Sequence, residues 1–326
     1  MTFRVNTLLL HLSVWLLILI PVFLFCLLVQ PGSVSVQMLL TGFDDPILSS
    51  ILWEVRLPRV INGLMTGGAL AVSGLVLQLI VRNPLAEPYI LGISSGASFG
   101  AILPLILGAS LFSFQIGGAF TGAVLVMVVV YFTGLRYGRI DNGRLLLGGV
   151  MMGAFVSALI FMSFTFLGDG LRTAITWLMG NLSLGSSSVI FTLFPIILLI
   201  ILLVYRYSYA YNLILTGEEV ASQVGIPVDR IKKVSYLYVS ALTALAVCVS
   251  GIIGFVGLVI PHILRRFYGF DHRYLIPFSF LGGGMLLMIA DWIARAALFP
   301  VELPVGAITA FLGAPFFIAL MRKQST

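Results

Sequence analysis

Charge is scarce in this chain: of 326 residues only 9% are Asp, Glu, Lys or Arg while 60% are hydrophobic, and the mean hydropathy is +1.13. That is too little polar surface to clothe a water-soluble globule of this size, so the soluble classes are excluded. Lysine is limited to Lys232, Lys233 and Lys323. None sits in a G-x-x-x-x-G-K-[ST] setting, which excludes a phosphate-binding loop. Histidine is limited to His11, His262 and His272, with no H-E-x-x-H or other metal spacing. Cys26 and Cys248 lie far apart in apolar runs, so packing is their expected use and no disulfide is expected. Gly168-Asp169-Gly170 lacks the companion motif of an intramembrane protease. Neither an enzyme nor a cofactor site is expected.

What the chain does have is apolar runs of roughly 17 to 25 residues, the length a helix needs to cross about 30 Å of hydrocarbon. The alternating strands of a membrane barrel are missing. The expected fold is all-α, a polytopic membrane bundle of about ten spans: 8–29, 60–81, 90–107, 116–131, 145–167, 189–205, 234–253, 257–265, 275–296 and 305–321. The first is too long for a signal peptide, has no small-residue cleavage site, and places Phe25 before Cys26, so it reads as retained. Pro31-Gly32 and Asp44-Asp45-Pro46 mark turns after it. Leu171 to Leu182 reads as an interfacial helix with Trp177 at headgroup level.

Ten spans put both termini on one side, and the basic residues agree. Of eighteen Lys and Arg, only Arg56, Arg59, Arg172 and Arg295 fall opposite the termini, a division of fourteen to four. The excess marks the cytoplasmic side. The net charge of +6 is therefore a membrane signature, with no call for a nucleic-acid partner.

The longest polar island in the second half is the loop at about 212–233. Gly217 and Gly225-Ile226-Pro227 frame a short helix from Glu218 to Val224, and Pro227 can start a second short helix. Ala221, Val224 and Ile226 give the first an apolar side, and Gly225 permits a bend. Such a polar helical pair is a handle for an aqueous partner. There is also an echo: Ala69-Leu70-Ala71-Val72-Ser73-Gly74 recurs as Ala244-Leu245-Ala246-Val247 with Ser250-Gly251. Each copy leads into a broken segment, the pattern of an inverted repeat.

Several blocks, in order over about residues 50–322, carry a resemblance. They are Arg56-Leu57-Pro58-Arg59, Ala71-Val72-Ser73-Gly74, Arg82-Asn83-Pro84-Leu85-Ala86-Glu87-Pro88 leading to Leu91-Gly92-Ile93-Ser94-Ser95-Gly96-Ala97, Gly217-Glu218 through Gly225, Gly254-Phe255-Val256-Gly257-Leu258-Val259-Ile260-Pro261-His262, Glu302-Leu303-Pro304-Val305-Gly306 and Leu312-Gly313-Ala314-Pro315. Together they resemble the FecCD family, the permeases of iron-siderophore, haem and cobalamin ABC importers.

The resemblance implies a single permease domain over 1–326 working as a homodimer or paired heterodimer in the inner membrane. Two ATP-binding subunits, which hold ATP and magnesium, would dock on the cytoplasmic side, and a periplasmic or lipid-anchored binding protein would deliver cargo. It implies docking of that protein by Arg56, Arg59 and Arg295, a cytoplasmic gate of Asn83, Pro84 and Leu85 with Asn142 and Gly143, and coupling to the ATPase through Glu218, Ala221, Val224, Gly225 and Ile226. Asp291 and Arg295, spaced i, i+4, can also pair with each other. Tyr89 and the Ser94-Ser95 pair depart from the cobalamin members and tilt the cargo toward iron chelates. The alternative is an ion-coupled secondary transporter, which needs ionisable groups at the membrane midplane. Only Asp291 comes near, close to the end of its span.

Overall fold

The computed structural model describes residues 5–29, 49–109 and 112–324. Arg4 and the Pro31-Gly32 and Asp44-Asp45-Pro46 turns lie outside the described residues. The helices are α1 (Val5–Leu28), α2 (Leu57–Ile80, entered through a π-helical turn at Ile51–Arg56), α3 (Ile93–Ile106), α4 (Phe112–Gly134), α5 (Asn142–Phe164), α6 (Leu171–Leu178) and α7 (Ser187–Tyr205). After them come α8 (Ser208–Thr216), α9 (Glu218–Gln223), α10 (Val228–Ser250), α11 (Val256–Tyr268), α12 (His272–Ala296) and α13 (Val305–Gln324).

Every expected span coincides with a helix, so the chain is a polytopic helical bundle. Among the described residues seven candidate spans are long and apolar enough to cross a membrane alone, and α3 and Val305–Ile318 are shorter apolar helices. Helix α11 has 13 residues and carries Arg265 and Arg266 in its last turn. At 1.5 Å per residue it reaches only about 20 Å, short of the hydrocarbon thickness.

Three local expectations change. The chain between α4 and α5 forms a two-residue hairpin, β1 (Leu135–Arg136) on β2 (Arg139–Ile140). Tyr137 and Gly138 both take positive φ at its tip, as a tight hairpin turn requires. Trp177 is 2% exposed and packed in the core rather than held at a headgroup surface, because α6 folds inward against α3. Pro227 does not open a separate short helix. It precedes Val228, and helix α10 runs unbroken to Ser250, so the short pair is α8 and α9.

The echo in sequence has a structural counterpart. Helices α2 to α5 without the hairpin have 24, 14, 23 and 23 residues, and α10 to α13 have 23, 13, 25 and 20. The leading helices α2 and α10 pack on each other, and each then packs on the other set's followers: α2 on α11 and α12, α10 on α3 and α4. Exchange of this kind is what a two-fold-related pair of repeats produces.

Burial sorts the helices into layers. Helix α2 is buried over 89% of its most apolar stretch, whereas α4, α5 and α7 are each buried over 22% and turn apolar side chains such as Leu125, Phe132, Leu147 and Leu199 outward. Where α2 crosses the second set, glycine sets the distance. A Cβ on Gly67 would lie 2.2 Å from the Gly283 carbonyl oxygen, and one on Gly74 would lie 2.0 Å from that of Gly257. Small residues let membrane helices approach this closely.

Candidate functional site

The first helix break follows α2. Arg82 takes φ 53° and closes a Schellman motif, with Asn83 N–H on the Gln78 carbonyl at 3.1 Å and Arg82 N–H on that of Leu79 at 3.3 Å. Asn83 Oδ1 then accepts from Leu85 N at 2.9 Å, an Asx turn that aims Leu85 outward at 42% exposure. The second break is 251–255, between α10 and α11, with Gly251 and Phe255 at positive φ.

The two breaks meet. Tyr89 Oη donates to the Ile253 carbonyl at 2.5 Å and accepts from Ile253 N at 2.8 Å, and a Glu87 carboxylate oxygen accepts from Phe255 N. Gln78 Nε2 bridges them from α2, donating to the carbonyls of Ala86 and Gly257 at 3.2 Å each. Broken backbone inside a bundle needs such partners, because no water is at hand to satisfy it.

The expected gate and coupling residues are joined by an ion cluster. Glu218 Oε1, on the first residue of α9, lies 3.1 Å from Arg82 Nη2 and 3.0 Å from Lys232 Nζ. Lys232 Nζ also donates to Asn142 Oδ1 at 3.1 Å, at the start of α5, where Asp141 caps the helix by accepting from Arg144 N at 3.0 Å. Arg139 reaches Asp229 at 3.3 Å beside it. One carboxylate thus touches the turn after α2 directly and the start of α5 through Lys232. A cleft of about 750 Å³ lies against this cluster, lined by Arg82, Arg139, Glu218, Val220, Gln223 and Asp229.

Within α9 the outward face differs from expectation. Ala221 is fully buried, while Val220 and Val224 are 49% and 65% exposed. Gly225 takes φ 88° at the bend, as expected of a residue without a Cβ, and Ile226 is half-buried with its N–H on the Ala221 carbonyl at 3.0 Å. A helix this short shows its neighbours through packing and not through periodicity, so Val220 was missed. Arg82 and Lys232 were missed because a lone cation in a polar loop carries no signal of its partner.

Arg56, Arg59 and Arg295 gather at the other ends of α2 and α12, and all three are buried. Arg59 holds Asp291 at 3.0 Å and Glu302 at 3.0 Å, and Arg295 holds Asp291 at 3.0 Å. The intrahelical Asp291–Arg295 pair is present. Arg59 is committed to two carboxylates of its own chain and is not a free surface charge. Arg56 Nε and Arg295 Nη2 are buried with no hydrogen-bond acceptor among the described residues. No group of three or more His, Cys, Asp or Glu that could hold a metal occurs among the described residues.

A bundle with two interlocked helix sets, each broken after its leading helix, is the architecture of a transport permease. The FecCD transport family model matches residues 16–323, and the chain belongs to that family. It is 40% identical over 278 residues, 84% of this chain and 74% of the relative, to the cobalamin import system permease protein BtuC of Halobacterium salinarum. It is 37% identical over 300 residues, 90% of this chain and 89% of the relative, to the hemin transport system permease protein HmuU of Yersinia pestis. A solved inward-facing conformation of a metal-chelate type ABC transporter superposes with a TM-score of 0.85 at 30% identity, covering 96% of this chain and 99% of that one.

Proposed function

We propose that this chain is the membrane permease of a binding-protein-dependent ABC importer for a bulky metal chelate, a ferric siderophore, haem or cobalamin. The observation that carries the reading is the short helix α9, which turns Val220 and Val224 to the outside while Glu218 ties it to the turns after α2 and before α5. An exposed valine on a six-residue polar helix, with a second at its C-cap, needs a cover, and a cleft on an ATP-binding subunit would supply it. That subunit holds ATP and magnesium, and this chain holds neither. The end with α9 is cytoplasmic in this reading, the membrane is the inner one, and two copies of the permease enclose the pathway.

At the opposite end Arg56 and Arg295 keep buried donors unspent beside the Arg59–Asp291 pair, and a carboxylate of a binding protein would complete them. Asn83, Pro84 and Leu85, with Asn142 and Gly143, form the inner gate. The test is reconstitution in vesicles with an ATP-binding subunit and a binding protein, followed by uptake of haem, a ferric siderophore and cobalamin. ATP-dependent uptake of one of them is expected. Uptake driven by a proton or sodium gradient, without the ATP-binding subunit, would overturn the reading in favour of a secondary transporter.

A further inference from the structure

We infer that Glu218 is the joint through which α9 drives both gate turns, a positioning role that rests on the importer reading above and adds a residue-level linkage to it. Three observations converge on it. The first is connectivity. A single oxygen, Glu218 Oε1, is shared by Arg82 at 3.1 Å and Lys232 at 3.0 Å, and Lys232 passes the link to Asn142 at 3.1 Å. Asp229 and Arg139 form a separate, well-exposed pair and cannot stand in for it.

The second is the burial of Lys232, whose side chain is 6% exposed. A buried ammonium is held in place by its counter-charge, because removing one partner of a buried pair leaves an uncompensated charge. Lys232 therefore follows Glu218 when α9 moves, and Asn142 follows Lys232.

The third is the backbone of Arg82. It occupies the left-handed position that ends α2, at φ 53°, where glycine is the default because a Cβ is penalised. A side chain kept at a strained position has a use away from the backbone, and the Arg82 side chain goes to Glu218. The turn Asn83–Leu85 starts at the next residue, so a displacement of Glu218 is delivered to it without a flexible linker.

The inference separates the two arms of the joint. Single cysteines at Leu85, which is 42% exposed, and at Gly143, where an added Cβ meets nothing nearer than 3.4 Å, report the two turns, and the native Cys26 and Cys248 are buried. The complex with the ATP-binding subunit and binding protein is reacted with a thiol reagent with and without ATP. In the otherwise unmodified complex both rates are expected to change about fivefold or more, the low end of ordinary coupling between two sites.

Glu218→Gln should abolish the change at both positions. Arg82→Gly should abolish it at Leu85Cys and keep it at Gly143Cys, while leaving thermal stability equal or higher because the left-handed strain is relieved. Lys232→Met should do the reverse, silencing Gly143Cys only. If Glu218→Gln fails to assemble, the two single-arm variants carry the test. Retention of both responses in the variants, or loss of both in each single-arm variant, overturns the joint. An unmodified complex that assembles but shows no response to ATP at either position would sink the importer reading and the joint with it.

Discussion

Asp291 is the keystone of the ion cluster around Arg59, and its removal should cost far more than removal of Glu302. Asp291 is 3% exposed in its side chain and serves both Arg59 and Arg295, themselves 8% and 6% exposed. Glu302 is 52% exposed and serves Arg59 alone. Each contact at about 4 Å between charge centres is worth roughly 4 kcal/mol gross at an effective dielectric of about 20. Most of that offsets desolvation, so the pair adds little on balance while either orphan is expensive. Asp291→Asn keeps the shape and removes the charge, leaving two buried guanidinium groups with one exposed carboxylate between them, and should cost about 3–5 kcal/mol. Glu302→Gln breaks a half-exposed pair and should cost about 1 kcal/mol or less. Combining Asp291→Leu with Arg59→Met and Arg295→Met should recover most of the loss, since no charge is then stranded. The assay is thermal unfolding in detergent, followed by labelling of the buried Cys26 and Cys248 with a thiol-reactive dye. Equal midpoints for Asp291→Asn and Glu302→Gln would refute the reasoning.

Other consequences follow from the same geometry. Tyr89→Phe strips Ile253 of both its hydrogen-bond partners and should cost about 1–3 kcal/mol of stability, whereas Tyr209→Phe, on an exposed tyrosine, serves as a surface comparison; equal unfolding midpoints would count against the break-to-break contact. Val224→Asp should abolish co-purification with an ATP-binding subunit at unchanged permease stability, while Ala221→Arg should destabilise the permease itself because that side chain is buried; the opposite pattern in pull-down and unfolding would invert the assignment of faces. Burial pushes the Asp271 carboxyl up, but bonds from Arg273 and Asn212 prevail and hold it below its ordinary value of 3.8. Its contribution is therefore complete above pH 3.8 and fades as pH falls further, so the stability gap between wild type and Asp271→Asn should narrow below that pH, and a gap that widens on acidification would contradict the pairing.

Most of the spans were legible because they are apolar runs longer than a soluble core helix needs, and the loop at about 212–233 because it is a polar island among them. The two breaks were legible as Pro and Gly clusters, since those residues cannot continue a helix. What joins them was not. Tyr89 and Ile253 are 164 residues apart, and Arg59 and Asp291 are 232 apart, so no spacing rule connects them. Arg82 reads in sequence as the basic residue expected where a span ends, and only its φ reveals a position that glycine normally fills. Trp177 reads as a membrane-interface anchor because aromatic belts are common, yet the fold of α6 against α3 decides its burial. Ala221 and Val220 are adjacent small apolar residues, and which one faces outward is set by the neighbouring helices.

The polar contacts between the two helix sets and their flanks lie in three layers, and their exposure differs in a way that bears on motion. At one end Arg59 and Asp291 are sealed, with side-chain exposures of 8% and 3%. In the middle the two breaks are held by hydrogen bonds from Tyr89, Glu87 and Gln78 to backbone groups. At the other end Arg82 and Glu218 are 53% and 31% exposed. Separating a sealed pair strands charge at a cost of several kcal/mol, whereas water replaces the partner of an exposed one at a cost of about 1 kcal/mol or less. Relative movement of the two sets should therefore open the Glu218 end while the Arg59 end stays shut, with the meeting breaks as the pivot. Lys232 qualifies this, since it is the one member of the Glu218 cluster that is itself buried, and it makes the link to Asn142 harder to break than the link to Arg82. The turn after α2 and the start of α5 then both travel with α9, the second the more firmly because its link runs through the buried Lys232.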